Sequence, residues 1–134
     1  MIGQKLAAHL AAHGLGATAP EALHVTLFDR AFPHKGAPAE AHLTGHITDV
    51  AHITRLAEAR PDVTFHLAAI VSGEAEQDYD KGWQINLFAH WNLVEALRAG
   101  HLASGGAYVP RFVFSSSIAV FGAPFPDDGI GDEF

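Results

Sequence analysis

The chain is 134 residues long, 49% hydrophobic and 17% charged, with a formal net charge of −7 when its ten histidines are neutral. That length suffices for one domain's core, and the absence of cysteine excludes a disulfide framework, thiolate zinc sites and a cysteine nucleophile. An acidic balance without a basic run argues against a nucleic-acid surface, and no uncharged apolar stretch is long enough to span a bilayer. The opening MIGQKLAAHL has no signal-peptide cleavage signature, so composition predicts a soluble cytoplasmic protein.

Apolar residues at Ile2, Leu6, Ala7 and Leu10 recur at helical spacing, predicting a helix over 2–13 that Gly14 and Gly16 close. ATAPEA (17–22) reads as a loop, and LHVTLFD (23–29) as a short apolar strand before a Pro/Gly/Ala-rich loop running through Ala41. HLTGHI (42–47) predicts a brief strand, after which Asp49 caps a helix to about Ala59. VTFHLAA (63–69), between Pro61 and Gly73, is the second clear strand. From Glu74 to about Leu102 the repeat of Ile85, Phe88, Ala89, Asn92, Leu93, Ala96 and Leu97 predicts helix; SGG (104–106) breaks it, and RFVFS (111–115) is the third strong strand.

Strands separated by helical stretches imply right-handed crossovers and a parallel sheet, whose strands are buried on both faces and read as continuous apolar runs. VTLF, VTFHLAA and FVF read in that way. The fold class is therefore α/β, a doubly wound parallel sheet. Ligands bind such sheets at the carboxyl ends of the strands. The residues at those ends are Asp29, Ala68-Ala69 and the triplet Ser115-Ser116-Ser117.

Together with Asn86 in INLFAHWNLVEA, these strand ends resemble the extended short-chain dehydrogenase/reductases of the sugar-epimerase type, the NAD-dependent epimerase/dehydratase family. HLAA (66–69) and SSSIAVFG (115–122) carry the superfamily resemblance, and IVSGEAEQDYDKG (70–82) is similar to its sugar-acid branch. The resemblance covers nearly the whole chain. It implies that residues 1–134 form part of an NAD-binding, Rossmann-like domain truncated at both ends. Gly3 matches the last glycine of the G-x-x-G-x-x-G turn that seats a pyrophosphate on a helix N-terminus, with the first strand falling before Met1. In the family's strand order that first strand separates the strands represented here by Val25–Phe28 and Val63–Leu67. The two are expected to stand apart with unpaired edges.

The remaining roles follow from the same resemblance. Asp29 would accept hydrogen bonds from the adenosine ribose and repel a 2′-phosphate, favouring NAD over NADP; a polar strand end capping a turn is the plainer account. His46 stands where the family carries a carboxylate near the adenine and reads as a solvated loop residue, leaving a backbone contact at Ile47. Leu67, Ala68 and Ala69 would run beneath the nicotinamide ribose. Asn86 would hold the strand ends around the cofactor, or else be an ordinary helix-surface amide. Ser115 is carried over as a cofactor contact, and with Ser116 it also suits bonding to backbone at the turn. Ser117 aligns with the catalytic serine that orients the substrate oxygen. Ser72 is a candidate for a substrate carboxylate or hydroxyl, or simply a turn serine before Gly73.

The family's general base is the tyrosine of Tyr-x-x-x-Lys. Tyr79 and Tyr108 are the only tyrosines, and Trp83 and Phe112 follow four residues later, so that pair is absent from these 134 residues. His9/His13 and His42/His46 are spaced four apart, but a catalytic zinc needs three ligands, and no metal is expected. The implied function is an NAD-dependent oxidoreductase acting on a secondary hydroxyl of a sugar acid, inactive as this piece alone. The alternatives are a piece of a nucleotide-sugar epimerase/dehydratase, or a non-catalytic dinucleotide-binding module. The implied partners are a small sugar-acid or sugar substrate and a second copy in the intact relative, with neither nucleic acid nor membrane.

Overall fold

The computed structural model describes residues 2–32 and 38–117. The Val120-Phe121-Gly122 end of the serine motif lies outside them. Helix α1 spans Ile2–His13 and buries Ala7 and Leu10. It stops at Gly14, whose φ of +78° favours glycine and whose N–H donates to Leu10 O at 2.8 Å. Leu15 and Thr18 then exchange backbone hydrogen bonds, and Pro20–Ala22 forms a 3₁₀ turn inside the segment read as loop.

Strand β1 (Thr26–Asp29) pairs in parallel with β2 (Ala41–Thr44), Asp29 lying opposite Thr44. Helix α2 (Val50–Glu58) begins where expected, because the Asp49 carboxylate accepts from Ala51 N at 2.9 Å. Strand β3 (Val63–His66) pairs in parallel with β4 (Arg111–Phe114), His66 lying opposite Phe114. Strand β3 is shorter than predicted. Leu67-Ala68-Ala69 leave it as irregular chain, so they sit at the strand end and not within it.

The predicted helix from Glu74 to Leu102 is instead a broken run: α3 (Ser72–Gln77), α4 (Tyr79–Trp83), a π-helical segment (Gln84–Phe88) and α5 (Ala89–Ala103). The first break falls at Asp78, with φ −130° and ψ 84°. Its carboxylate accepts from Lys81 N at 3.1 Å, so the side chain caps a new helix at the expense of the old one. A Cβ at Gly82 would meet Ala75 Cβ at 3.1 Å, so glycine there lets α4 fold tightly back on α3.

The core joins α2 to α5. Ile53 and Ala57 pack against Leu93 and Leu97, flanked by Ile47, Ala96, Tyr108 and Phe112. Both helices contribute residues four apart, which share one face. Each buried Ile or Leu contributes about 1.5–3 kcal/mol. The chain after α5 is fastened to this core by Tyr108, whose hydroxyl donates to Pro61 O at 2.8 Å, and by His101 Nδ1, 2.6 Å from Tyr108 O.

The strands are not buried on both faces as expected. Val113 is 43% and Phe114 48% exposed, and β1 is only half-buried. The reason is the sheet itself. Among the described residues the four strands form two separate two-stranded sheets, β1–β2 and β3–β4, and no ladder joins β1 to β3. The separation expected from the strand order is therefore present. No helix among the described residues is long and apolar enough to cross a membrane.

Candidate functional site

Parallel pairing brings strand ends together. In the β3–β4 sheet the register sets His66 beside Phe114, so Leu67-Ala68-Ala69 and Ser115-Ser116-Ser117 leave the same end side by side. One further backbone bond, Ser115 N to His66 O at 3.4 Å, extends the pairing past the strands. Ala68, Ala69 and the three serines are all exposed, which makes an open ledge of small side chains.

Asn86 holds one side of that ledge. Its Nδ2 donates to Ile70 O and its Oδ1 accepts from Ile70 N, each at 3.0 Å. A side-chain amide thus satisfies both backbone groups of the residue that follows Ala69, as a neighbouring strand would. The π-helical segment Gln84–Phe88 positions it, with Ile85 buried next to an exposed Asn86. Sequence pattern found Asn86 but left its role divided between a surface amide and a strand-end brace; the contact is with Ile70. Helix α1 brings its N-terminus to the same strand end, where a Cβ at Gly3 would lie 4.0 Å from Leu67 Cδ1.

Asp29 ends β1 half-buried, and its Oδ1 accepts from Arg30 N at 2.7 Å. Ile47 packs its side chain on the α2–α5 core, which leaves its backbone for any ligand contact. His46 differs from the solvated residue expected. It is half-buried, and its Nδ1 lies 2.7 Å from Thr48 Oγ1, so it organises the turn into α2. Ser72 begins α3 exposed, two residues after Ile70. The structure therefore gathers Gly3, Leu67, Ala68, Ala69, Asn86 and Ser115 around one strand end, while Asp29 belongs with the other sheet and Ile47 with the α2–α5 core.

Pattern reading passed over one pair. His66 is 4% exposed, and its ring lies 5.3 Å from that of His90. Burial disfavours the imidazolium and lowers the His66 pKa below its ordinary value, and the nearby His90 lowers it further. The signal was present as a histidine inside the apolar run VTFHL.

Among known proteins, the model of the NAD dependent epimerase/dehydratase family matches residues 1–133. A D-erythronate dehydrogenase of Cupriavidus necator is 40% identical over 85 residues, covering 63% of this chain and 24% of that protein. A D-erythronate dehydrogenase of Haemophilus influenzae is 46% identical over 66 residues, 49% of this chain and 19% of that one. The crystal structure of a nucleoside-diphosphate-sugar epimerase from Agrobacterium tumefaciens superposes with a TM-score of 0.78 at 43% identity, over 93% of this chain and 36% of the other. The chain thus spans about a quarter or less of the curated relatives it matches. With the family model matched from end to end of a parallel α/β fold, the chain belongs to the NAD dependent epimerase/dehydratase family.

Proposed function

We propose that this chain forms the NAD-binding part of a cytoplasmic oxidoreductase that oxidises a secondary hydroxyl of a sugar acid, hydride leaving the carbon that bears it as the hydroxyl loses its proton. The observation carrying the proposal is the ledge where Leu67-Ala68-Ala69 and Ser115-Ser116-Ser117 emerge together, braced by Asn86 on Ile70. The residues present fit a dinucleotide. The first turn of α1 carries no acidic side chain, so its N–H groups and positive dipole end suit a pyrophosphate. The Asp29 carboxylate, half-buried at a strand end, suits a ribose diol and disfavours a 2′-phosphate. The nicotinamide ring, when bound, accepts the hydride.

The chain's own groups bind and orient. Ser117 Oγ donates to the substrate oxygen and stabilises charge developing on it, and Ser72 contacts the acid's carboxylate or a hydroxyl. The proton acceptor is assigned outside these residues. Tyr108 is excluded because its hydroxyl donates to Pro61 O and desolvation raises its pKa above the ordinary tyrosine value. The sugar-acid reading is supported by the stretch IVSGEAEQDYDKG and by the names of the two curated relatives. A nucleotide-sugar substrate is the second reading, favoured by the likeness to the Agrobacterium epimerase. Two copies would pair through the exposed stripe Tyr79, Trp83, Leu87, Phe88 and Trp91.

The test is cofactor and substrate choice in a protein of the relatives' length carrying these 134 residues. NAD should be preferred to NADP, with D-erythronate oxidised and a nucleoside-diphosphate sugar left unchanged. Asp29→Ala should narrow the NAD:NADP ratio of kcat/KM by about tenfold, one hydrogen-bonded charge's worth. An unmoved ratio would remove Asp29 from the ribose site, and epimerisation of the nucleotide sugar would select the second reading.

A further inference from the structure

Four rings lie directly beneath the ledge. His66 of β3 is 5.3 Å from His90 of α5, 6.0 Å from Phe112 and 5.9 Å from Phe114 of β4, ring centre to ring centre. His90 in turn lies 4.4 Å from Phe114 and 5.4 Å from Phe112. Its Nδ1 is buried and has no hydrogen-bond partner. The cluster is where β3, β4 and α5 meet. His66 immediately precedes Leu67-Ala68-Ala69, and Phe114 immediately precedes Ser115.

No anion serves this cluster among the described residues. The charged groups at the start of the two strands, Asp62 and Arg111, stand at their far end, where Arg111 N bonds to Asp62 O. On α5, Glu95 and Arg98 pair with each other, and on α1, Lys5 is exposed. His101, also on α5, is engaged with Tyr108 O. Burial lowers the His66 pKa most, and the neighbouring His90 lowers it further. Neutral imidazoles pack acceptably among phenyl rings. A protonated His66 there has no counter-charge among the described residues. The stacked Phe114 ring would attract a cation but carries no net charge to neutralise it.

We propose that His66, packed against His90, forms an acid-operated latch, which with His66 neutral clamps the ends of β3 and β4 onto α5 and on its protonation releases them. The direction follows from linkage. His66 titrates below the ordinary 6.5 in the folded chain, so the folded state binds fewer protons, and the clamp weakens as pH falls through and below that value. The ledge residues on either side of the cluster would loosen with it. This consequence goes beyond cofactor or substrate identity and does not depend on either.

Hydrogen exchange read by mass spectrometry on the full chain at low micromolar concentration, corrected for intrinsic rates, tests this. Between about pH 7.5 and 5.5, protection of segments 63–69 and 111–117 should fall about tenfold, as expected for one buried histidine forced to charge. His66→Phe should keep that protection at about pH 5.5 to within about twofold, because no ring remains there to protonate. His90→Phe, at the less buried position, serves as the second variant should the first fail to fold, and should reduce the acid loss. His52→Gln, a histidine away from the cluster, should leave it unchanged. The latch is overturned by unchanged protection in the parent chain at the acid end, by an acid loss persisting in both phenylalanine variants, or by absence of protection in these segments at the neutral end.

Discussion

Asn86 and Ile70 are joined by two hydrogen bonds of 3.0 Å, amide to backbone carbonyl and backbone N–H to amide oxygen. An asparagine in a π-helical segment therefore fixes the chain leaving β3. The geometry demands both a donor and an acceptor at one reach. Asn86→Asp keeps the acceptor but sets a carboxylate against Ile70 O, and Asn86→Leu removes both bonds. Each should cost about 0.5–1.5 kcal/mol, the lower part of the range applying because the site is exposed. Urea unfolding would measure that cost. The amide of Ile70 should exchange faster in Asn86→Leu, which removes its acceptor, and unchanged exchange there would show the clamp to be inconsequential.

Thr64 offers a change in the opposite direction. Its hydroxyl is buried on β3 without a hydrogen-bond partner. Valine has nearly the same shape, the same β-branching and no polar atom to leave unsatisfied. Thr64→Val should stabilise the chain by about 1 kcal/mol. A lower urea midpoint in this variant would mean that the hydroxyl does find a partner.

Tyr108 ties the end of α5 to the loop before β3 through its 2.8 Å bond to Pro61 O. Desolvation raises its pKa, the nearby Asp62 adds to the rise, and Arg60 opposes it. The folded chain thus holds the phenol proton more tightly than the unfolded one, and this contribution is complete below the ordinary value of 10.0. It is lost as pH rises from there through the folded value. Tyr108→Phe should cost about 1 kcal/mol at neutral pH and flatten the alkaline limb of stability. An alkaline limb unchanged in the variant would sink the assignment.

How much of this was readable in advance divides along physical lines. Local signals worked. The Asp49 cap, the stop at Gly14 and the apolar spacing of α1 each depend on a few neighbouring residues, and each appears where the pattern set it. The strand-end positions of Ala68-Ala69 and Ser115 were readable too, because parallel strands interrupted by helices constrain which ends coincide. The break at Asp78 was not, since an aspartate within a helical stretch becomes a cap only when the chain folds back, and that required Gly82 over Ala75. Burial of the strands was overestimated for a tertiary reason: it needs neighbours on both sides, which Val113 and Phe114 lack. The histidine pair was missed because its partners, His90 and Phe114, are distant in sequence from His66.

Both sheets have unpaired sides. β1 pairs only with β2 and β3 only with β4 among the described residues, so each presents an edge of backbone N–H and C=O groups not engaged in a ladder. Both edge strands are apolar in character, with Leu27 and Phe28 on one and Val63 and Phe65 on the other. Such an edge is a template for pairing with another chain, and each backbone group left unpaired when buried costs about 1–3 kcal/mol. A few such groups rival the whole stability of a domain, roughly 5–15 kcal/mol. Direct pairing of β1 with β3 is one way to satisfy them. Among the described residues β1 and β3 do not pair, so both edges stay available. The chain should therefore self-associate as its concentration rises, through these two strands. Thr26→Lys, at an exposed position of β1, should suppress the association by placing a solvated charge along the edge without removing core packing. Light scattering across a concentration series measures both effects, and a parent chain that stays a monodisperse monomer at about 100 μM would show that the edges are already satisfied.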